Sequence, residues 1–134
     1  YAEDIIGCLN NQVDGWVDWN MLLDRQGGPN WFKNWCVAPV IVDPENDEVY
    51  FTPLYYVMSH FSKFMRPGAV KIGCEVNNKQ LKVTAVQNID KSIAIALFNP
   101  TNEMYTIEIK LDNTVQIISI AAKALQTVII TTKK

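Results

Sequence analysis

The sequence is poor in cysteine, in histidine and in excess charge of either sign. Its 134 residues hold 3 Cys and 1 His. A structural zinc site takes about four nitrogen or sulfur ligands, commonly as close pairs. Cys8, Cys36 and Cys74 lie far apart and His60 stands alone, so no metal site is expected. The three thiols read as free and buried, the habit of unpaired cysteine. Lys and Arg number 12 against 14 Asp and Glu, a net charge of -2. No basic excess exists to neutralise phosphates, and a nucleic-acid partner is not expected. No apolar run approaches the roughly 18 residues of a membrane helix, so no transmembrane segment is expected either. Asn-X-Ser/Thr acceptors are missing, since Pro100 follows Asn99 and blocks that site. What remains is 49% hydrophobic and 19% charged, a globular composition at the length of one domain.

The chain begins inside an apparent helix. Ile5, Ile6, Leu9 and Val13 mark one helical face over residues 1–14, and Gly15 punctuates it. An opening of this kind reads as a piece of a longer polypeptide. Trp16-Val17-Asp18-Trp19 is aromatic and β-branched, a strand by propensity. Period two sets Trp16 and Asp18 on one face, Val17 and Trp19 on the other. Residues 20–36 read as a long loop around the turn Gly27-Gly28-Pro29-Asn30, with Trp31, Phe32 and Trp35 in it. Long aromatic loops in compact domains are usually functional. Val40–Val42 and Val49–Phe51 read as short strands about an acidic turn. Thr52-Pro53 then opens a helix whose stripe is Leu54, Val57, Met58, Phe61 and Met65. Pro67-Gly68 ends it.

Beyond Gly68 the period changes. Six short alternating segments begin at Val70, Leu81, Ile93, Met104, Val115 and Leu125, separated by turns rich in Asn and Asp. That rhythm predicts an antiparallel β-sandwich. A boundary near Arg66–Gly68 gives two parts, 1–66 and 67–134. One strand flanked by two helices cannot bury a core, so the first part reads as one unit of a larger α/β structure. Its apolar faces, including Ile5, Leu9, Val17 and Met58, are expected to be bare. They would drive association with the remainder of that structure or with a second copy.

Three co-ordered motifs are specific: Gly15-Trp16-Val17-Asp18-Trp19-Asn20, then Gly27-Gly28-Pro29-Asn30-Trp31 with Asn34, then His60-Phe61-Ser62-Lys63-Phe64. Together they resemble the C-terminal part of the glucosylceramidases of glycoside hydrolase family 30, strongly to about Gly73 and by strand order thereafter. The resemblance implies an α+β chain: the last strand–loop–helix unit of a (β/α)8 barrel followed by an antiparallel β-sandwich. It implies a retaining β-glucosidase with a β-glucoside or glucosylceramide-like substrate and no cofactor. Retaining enzymes use two carboxylates about 5–5.5 Å apart. The family carries both on earlier strands, ahead of the position of Tyr1, so no catalytic residue is assigned in this chain.

By the same resemblance Trp19 and Asn34 line the sugar pocket, with Trp35 and Cys36 beside them. Trp35 and Cys36 depart from the phenylalanine and aliphatic residue common in the family, a difference that bears on the pocket mouth and the aglycone. An indole can stack on the apolar face of a sugar and donate its N–H. Asp18, opposite Trp19, is expected to be structural, as are Asn20, Asn30 and Trp31, the last as an anchor of the loop. Trp16 is expected in the core, and His60 as a satisfied structural histidine. The sandwich carries no aromatic strip and reads as a scaffold. Two other functions fit the residues: a self-contained, non-catalytic carbohydrate-binding or structural module, and a family relative acting on a xyloside or a β-1,6-glucan.

Overall fold

The computed structural model describes residues 1–131. In chain order its elements are α1 (Ala2–Asn10), β1 (Leu22–Asp24), β2 (Val40–Asp43), β3 (Glu48–Phe51), α2 (Pro53–Ser62), β4 (Val70–Ile72), β5 (Lys82–Gln87), β6 (Ile93–Phe98), β7 (Tyr105–Leu111), β8 (Thr114–Ile120) and β9 (Leu125–Ile130).

The fold is organised around β6. Ile93, Ala94, Ile95, Ala96 and Leu97 are all buried, so this strand is covered on both faces and shows no polar alternation. It sits between β5 and β9 in a four-stranded antiparallel sheet of order β4-β5-β6-β9. Ile93, Ile95 and Leu97 face one core, with Leu81, Ala85, Ile120 and Val128. The β7–β8 hairpin closes that side. Its residues Tyr105, Ile107, Ile109 and Leu111 pack inward, and burial alternates residue by residue along β7. These two layers form the sandwich.

The opposite face of the same sheet holds the helices. Ala96 lies in a second core with Ile5, Ile6 and Phe61, against which Leu9, Trp16, Val57, Met58, Phe98 and Leu125 pack. Alanine at 96 leaves room for two helices to approach the sheet. Polar contacts pin the seam. Asn10 Nδ2 donates to the Val83 carbonyl at 2.8 Å, Lys82 pairs with Glu3 at 3.2 Å, and His60 Nδ1 meets Thr127 Oγ1 at 2.9 Å. The helices are therefore not bare, as the sequence suggested. Ile5 is 3% exposed, and Leu9 and Met58 pack in the same core. The sandwich itself supplies the apolar partner. Of the four side chains expected at an open face, Val17 alone is solvated, at 91% exposure.

Other differences have local causes. α1 ends at Asn10, four residues short of 14. Asn11 Nδ2 donates to the Gly7 carbonyl at 2.8 Å, and Gln12 turns out of the helix at φ 62°. Val13 is left 41% exposed. Residues 16–19 form no strand, because among the described residues no neighbour pairs with them. A strand does form inside the expected loop: β1 runs parallel to β2, Leu23 opposite Ile41. β2 pairs with β3 antiparallel, and these three make a separate sheet. Thr52 precedes α2 as expected, but its hydroxyl donates back to the carbonyls of Ala38 and Pro39 at 3.0 and 3.1 Å and does not cap the helix. The three thiols are free, yet none is buried. Cys8 and Cys36 are half-buried, and Cys74 is exposed beyond the short edge strand β4. No helix among the described residues is long and apolar enough to cross a membrane.

Candidate active-site segment and aromatic loop

Residues 16–20 keep strand-like alternation without strand pairing. Trp16, Asp18 and Asn20 are half-buried, while Val17 and Trp19 are exposed. The inner row is tied to the start of the chain. Trp16 Nε1 donates to Asp4 Oδ2 at 2.7 Å, and the rings of Tyr1 and Trp16 meet edge to face at 5.6 Å. Asp18 Oδ1 accepts the Tyr1 hydroxyl at 3.2 Å and the Trp19 backbone N–H at 2.9 Å. Burial, together with the negative charge of Asp18, raises the pKa of the Tyr1 hydroxyl. With the inner row bound, the outer row faces away, and the Trp19 indole is 79% exposed.

The loop between β1 and β2 is closed at its base. Asp24 Oδ1 accepts the backbone N–H groups of Gln26 and Gly28 at 2.9 and 2.8 Å. Asp24 N donates to the Gly28 carbonyl at 2.8 Å, and Cys36 N donates to the Gly27 carbonyl at 3.1 Å. Gly27 has φ +90°, and a Cβ there would lie 2.4 Å from the Cys36 carbonyl oxygen. Only glycine fits that position. The far end of the loop turns at Lys33, φ 56°, and presents Trp31, Phe32, Asn34 and Trp35 outward.

The candidate residues are placed as follows. Asn34 is exposed, Trp35 is 48% exposed and Cys36 is half-buried, with its thiol 3.4 Å from the Asn34 carbonyl. Asn30 is half-buried, and its Nδ2 is enclosed without an acceptor among the described residues. Trp31, expected as an anchor of the loop, is 94% exposed, the described residues offering its ring no wall. Sequence reasoning passed over Asp24 and the Arg25–Asp43 pair. An Asp placed before Gly-Gly is a signal for side-chain-closed turns. Arg25 meets the buried Asp43 at 2.7 Å, and Asn46 Nδ2 donates to the same carboxylate at 2.7 Å. The Asn46 amide and the Arg25 guanidinium hold the Asp43 carboxyl below its ordinary pKa against the opposing effect of burial. This ties the strand base of the loop to the β2–β3 turn.

An exposed indole at the end of a chain segment, an aromatic loop closed at its root and a helix packed on a β-sandwich have a counterpart among known proteins. Residues 1–65 match the TIM-barrel domain of glycosyl hydrolase family 30, and residues 68–128 match the beta sandwich domain of the same family. The chain belongs to glycosyl hydrolase family 30. Its fold is the end of the barrel followed by the antiparallel sandwich. It is 36% identical over 104 residues to the lysosomal acid glucosylceramidase of Mus musculus, covering 77% of this chain and 20% of that protein. It is 33% identical over 70 residues to an endo-1,6-beta-D-glucanase of Aspergillus fumigatus, covering 52% of this chain and 14% of the relative. The crystal structure of SrfJ from Salmonella typhimurium superposes with a TM-score of 0.95 at 25% identity, over 99% of this chain and 30% of that one. The chain spans about a fifth of the length of the glucosylceramidases it matches.

Proposed function

We propose that this chain supplies one wall of the sugar pocket of a retaining β-glycosidase, with a β-glucoside or glucosylceramide-like lipid as substrate. Residues 1–66 serve as the barrel end and residues 67–134 as a scaffold sandwich. Trp19 is the stacking platform, Asn34 binds a hydroxyl, and Trp35 and Cys36 shape the mouth. Asp18 keeps a structural part through Tyr1 and the backbone. The observation that carries this reading is Trp19, a large indole left 79% exposed by a segment whose Trp16 is bonded to α1 and whose Asp18 is bonded to Tyr1. Likeness to the mouse glucosylceramidase supports the glucoside. The Aspergillus relative supports a second reading, a β-1,6-glucan, on the same wall. The acid/base and nucleophile carboxylates belong to other parts of the polypeptide.

The test has two arms. The purified 134-residue chain is expected to leave a fluorogenic β-glucoside unhydrolysed, since nothing in it protonates the leaving oxygen and attacks the anomeric carbon. In the full-length polypeptide, Trp19→Ala is expected to lower kcat/KM about 5- to 150-fold, equivalent to about 1–3 kcal/mol of lost aromatic contact, while a Phe at the same position recovers most of it. An Ala variant with unchanged kcat/KM on both a β-glucoside and a β-1,6-glucan removes Trp19 from the pocket.

A further inference from the structure

We propose that Asp24 is a positioning residue for Trp35, acting through the backbone of Gly28. The inference rests on the sugar-wall reading above and deepens it. Three contacts form the line of action. Asp24 ends β1, where pairing opposite Val42 fixes its backbone. Its Oδ1 receives two backbone N–H groups, those of Gln26 and Gly28, and ionised acceptors make the stronger bonds of this kind. Gly28 is in turn the floor under the Trp35 ring: a Cβ on Gly28 would stand 3.1 Å from Trp35 Cζ3 and 3.3 Å from Asp24 Oδ2. The indole thus lies against a bare backbone held in place by the carboxylate. The second glycine closes the frame, because the Gly27 carbonyl receives the Cys36 N–H, one residue past Trp35.

Trp35 is half-exposed on its other side, so its pose depends on this floor. Removing the Asp24 carboxylate frees Gly28 N–H and Gln26 N–H and lets the floor shift. Displacements of about 1 Å in binding groups cost enzymes on the order of 100-fold. A ring at the pocket mouth, remote from the reacting bond, is expected to lose less and to lose it in KM.

The experiment uses the full-length polypeptide and 4-methylumbelliferyl β-glucoside. Asp24→Ala is expected to raise KM about tenfold with kcat within about twofold. Asp24→Asn, whose amide oxygen still accepts both N–H groups, is expected to restore KM. The double variant Asp24→Ala/Trp35→Ala is expected to be no worse than Trp35→Ala alone, since both changes act on one group. Gly28→Ala crowds the Trp35 ring and Asp24 Oδ2 together and is expected to raise KM as Asp24→Ala does; where Asp24→Ala fails to fold, an unchanged KM in Gly28→Ala overturns the proposal. Equal losses in Asp24→Ala and Asp24→Asn, or additivity with Trp35→Ala, overturn the proposal. In the 134-residue chain the Trp35 indole N–H resonance is expected to move in Asp24→Ala and return in Asp24→Asn. A resonance unmoved by Asp24→Ala overturns the latch itself. A Trp35→Ala enzyme of unchanged KM, with the resonance shift present, overturns the sugar-wall reading instead.

Discussion

Replacing Ile5 by Ala tests whether α1 is held by the sandwich. Ile5 is 3% exposed and packs with Ile6, Phe61 and Ala96. The change deletes the equivalent of three carbons, about 2.4 kcal/mol at about 0.8 kcal/mol per buried methylene. The incompletely collapsed space raises the loss to about 2.5–4 kcal/mol, inside the range for such truncations. Unfolding entropy of about 2.1 cal/mol/K per residue converts that loss into a fall in Tm of about 9–14 °C for a chain of this length. The assay is thermal and urea unfolding followed by circular dichroism, with the urea m-value unchanged. Val17→Ala is the control. At 91% exposure it is expected to move stability by less than about 0.5 kcal/mol. Equal, small effects of the two substitutions would refute the docking of α1 and return its apolar face to solvent.

Three further outcomes are expected. Gly68→Ala should lower stability by about 1–2 kcal/mol in urea unfolding, because Gly68 sits at φ +85° in a region that costs a residue with a Cβ about that much. The cause is the backbone angle, since the crowding atom, Ile89 Cδ1 at 2.7 Å, is a side-chain tip that can move. His60 is held neutral, its pKa below 6.5 through burial, so its share of stability is complete above about pH 6.5 and falls as pH drops toward its folded pKa. His60→Gln should flatten the Tm–pH curve between about pH 7 and 5. Asp43 has the matching acid behaviour. Its lowered pKa means stability present above pH 3.8 and lost as pH falls through the folded value, and Asp43→Asn should remove that acid-side slope in the melting curve.

The turns rich in Asn, Asp, Gly and Pro after Arg66 bound all six sandwich strands, so that even three-residue β4 and the unbroken apolar run of β6 stand out between them. β6 shows where such reading stops. Its run of apolar residues announces a buried strand, but which layer lies on its second face depends on α1 and α2, some 30 to 90 residues away in sequence. The helical stripes are visible as stripes, whereas their partner is not. Residues 16–19 kept the predicted alternation and lost the strand, since propensity is local while strand pairing needs a neighbour. β1 escaped notice for the opposite reason: three residues carry no period, and its partner β2 lies beyond the loop. In the loop itself the aromatics were visible as residues, and Trp31, Phe32 and Trp35 all stand exposed in the fold. Asp24 lies outside the family motifs, and its signal was the weaker one of an Asp shortly before Gly-Gly, whose carboxylate takes the local N–H groups of Gln26 and Gly28.

The two-sided burial of β6 has a mechanical consequence. The strand is a shared beam, loaded by the hairpin on one side and by α1 and α2 on the other. Trp16 rests on the helix side, and the segment bearing Trp19 hangs from α1 through Asp4 and Tyr1. A domain swivel at Pro67-Gly68 would therefore have to tear a packed seam, so the sandwich and the Trp19 segment move as one body. Substitutions at Ala94 or Ala96, chemically remote from any sugar, will register as displaced indoles as well as lost stability.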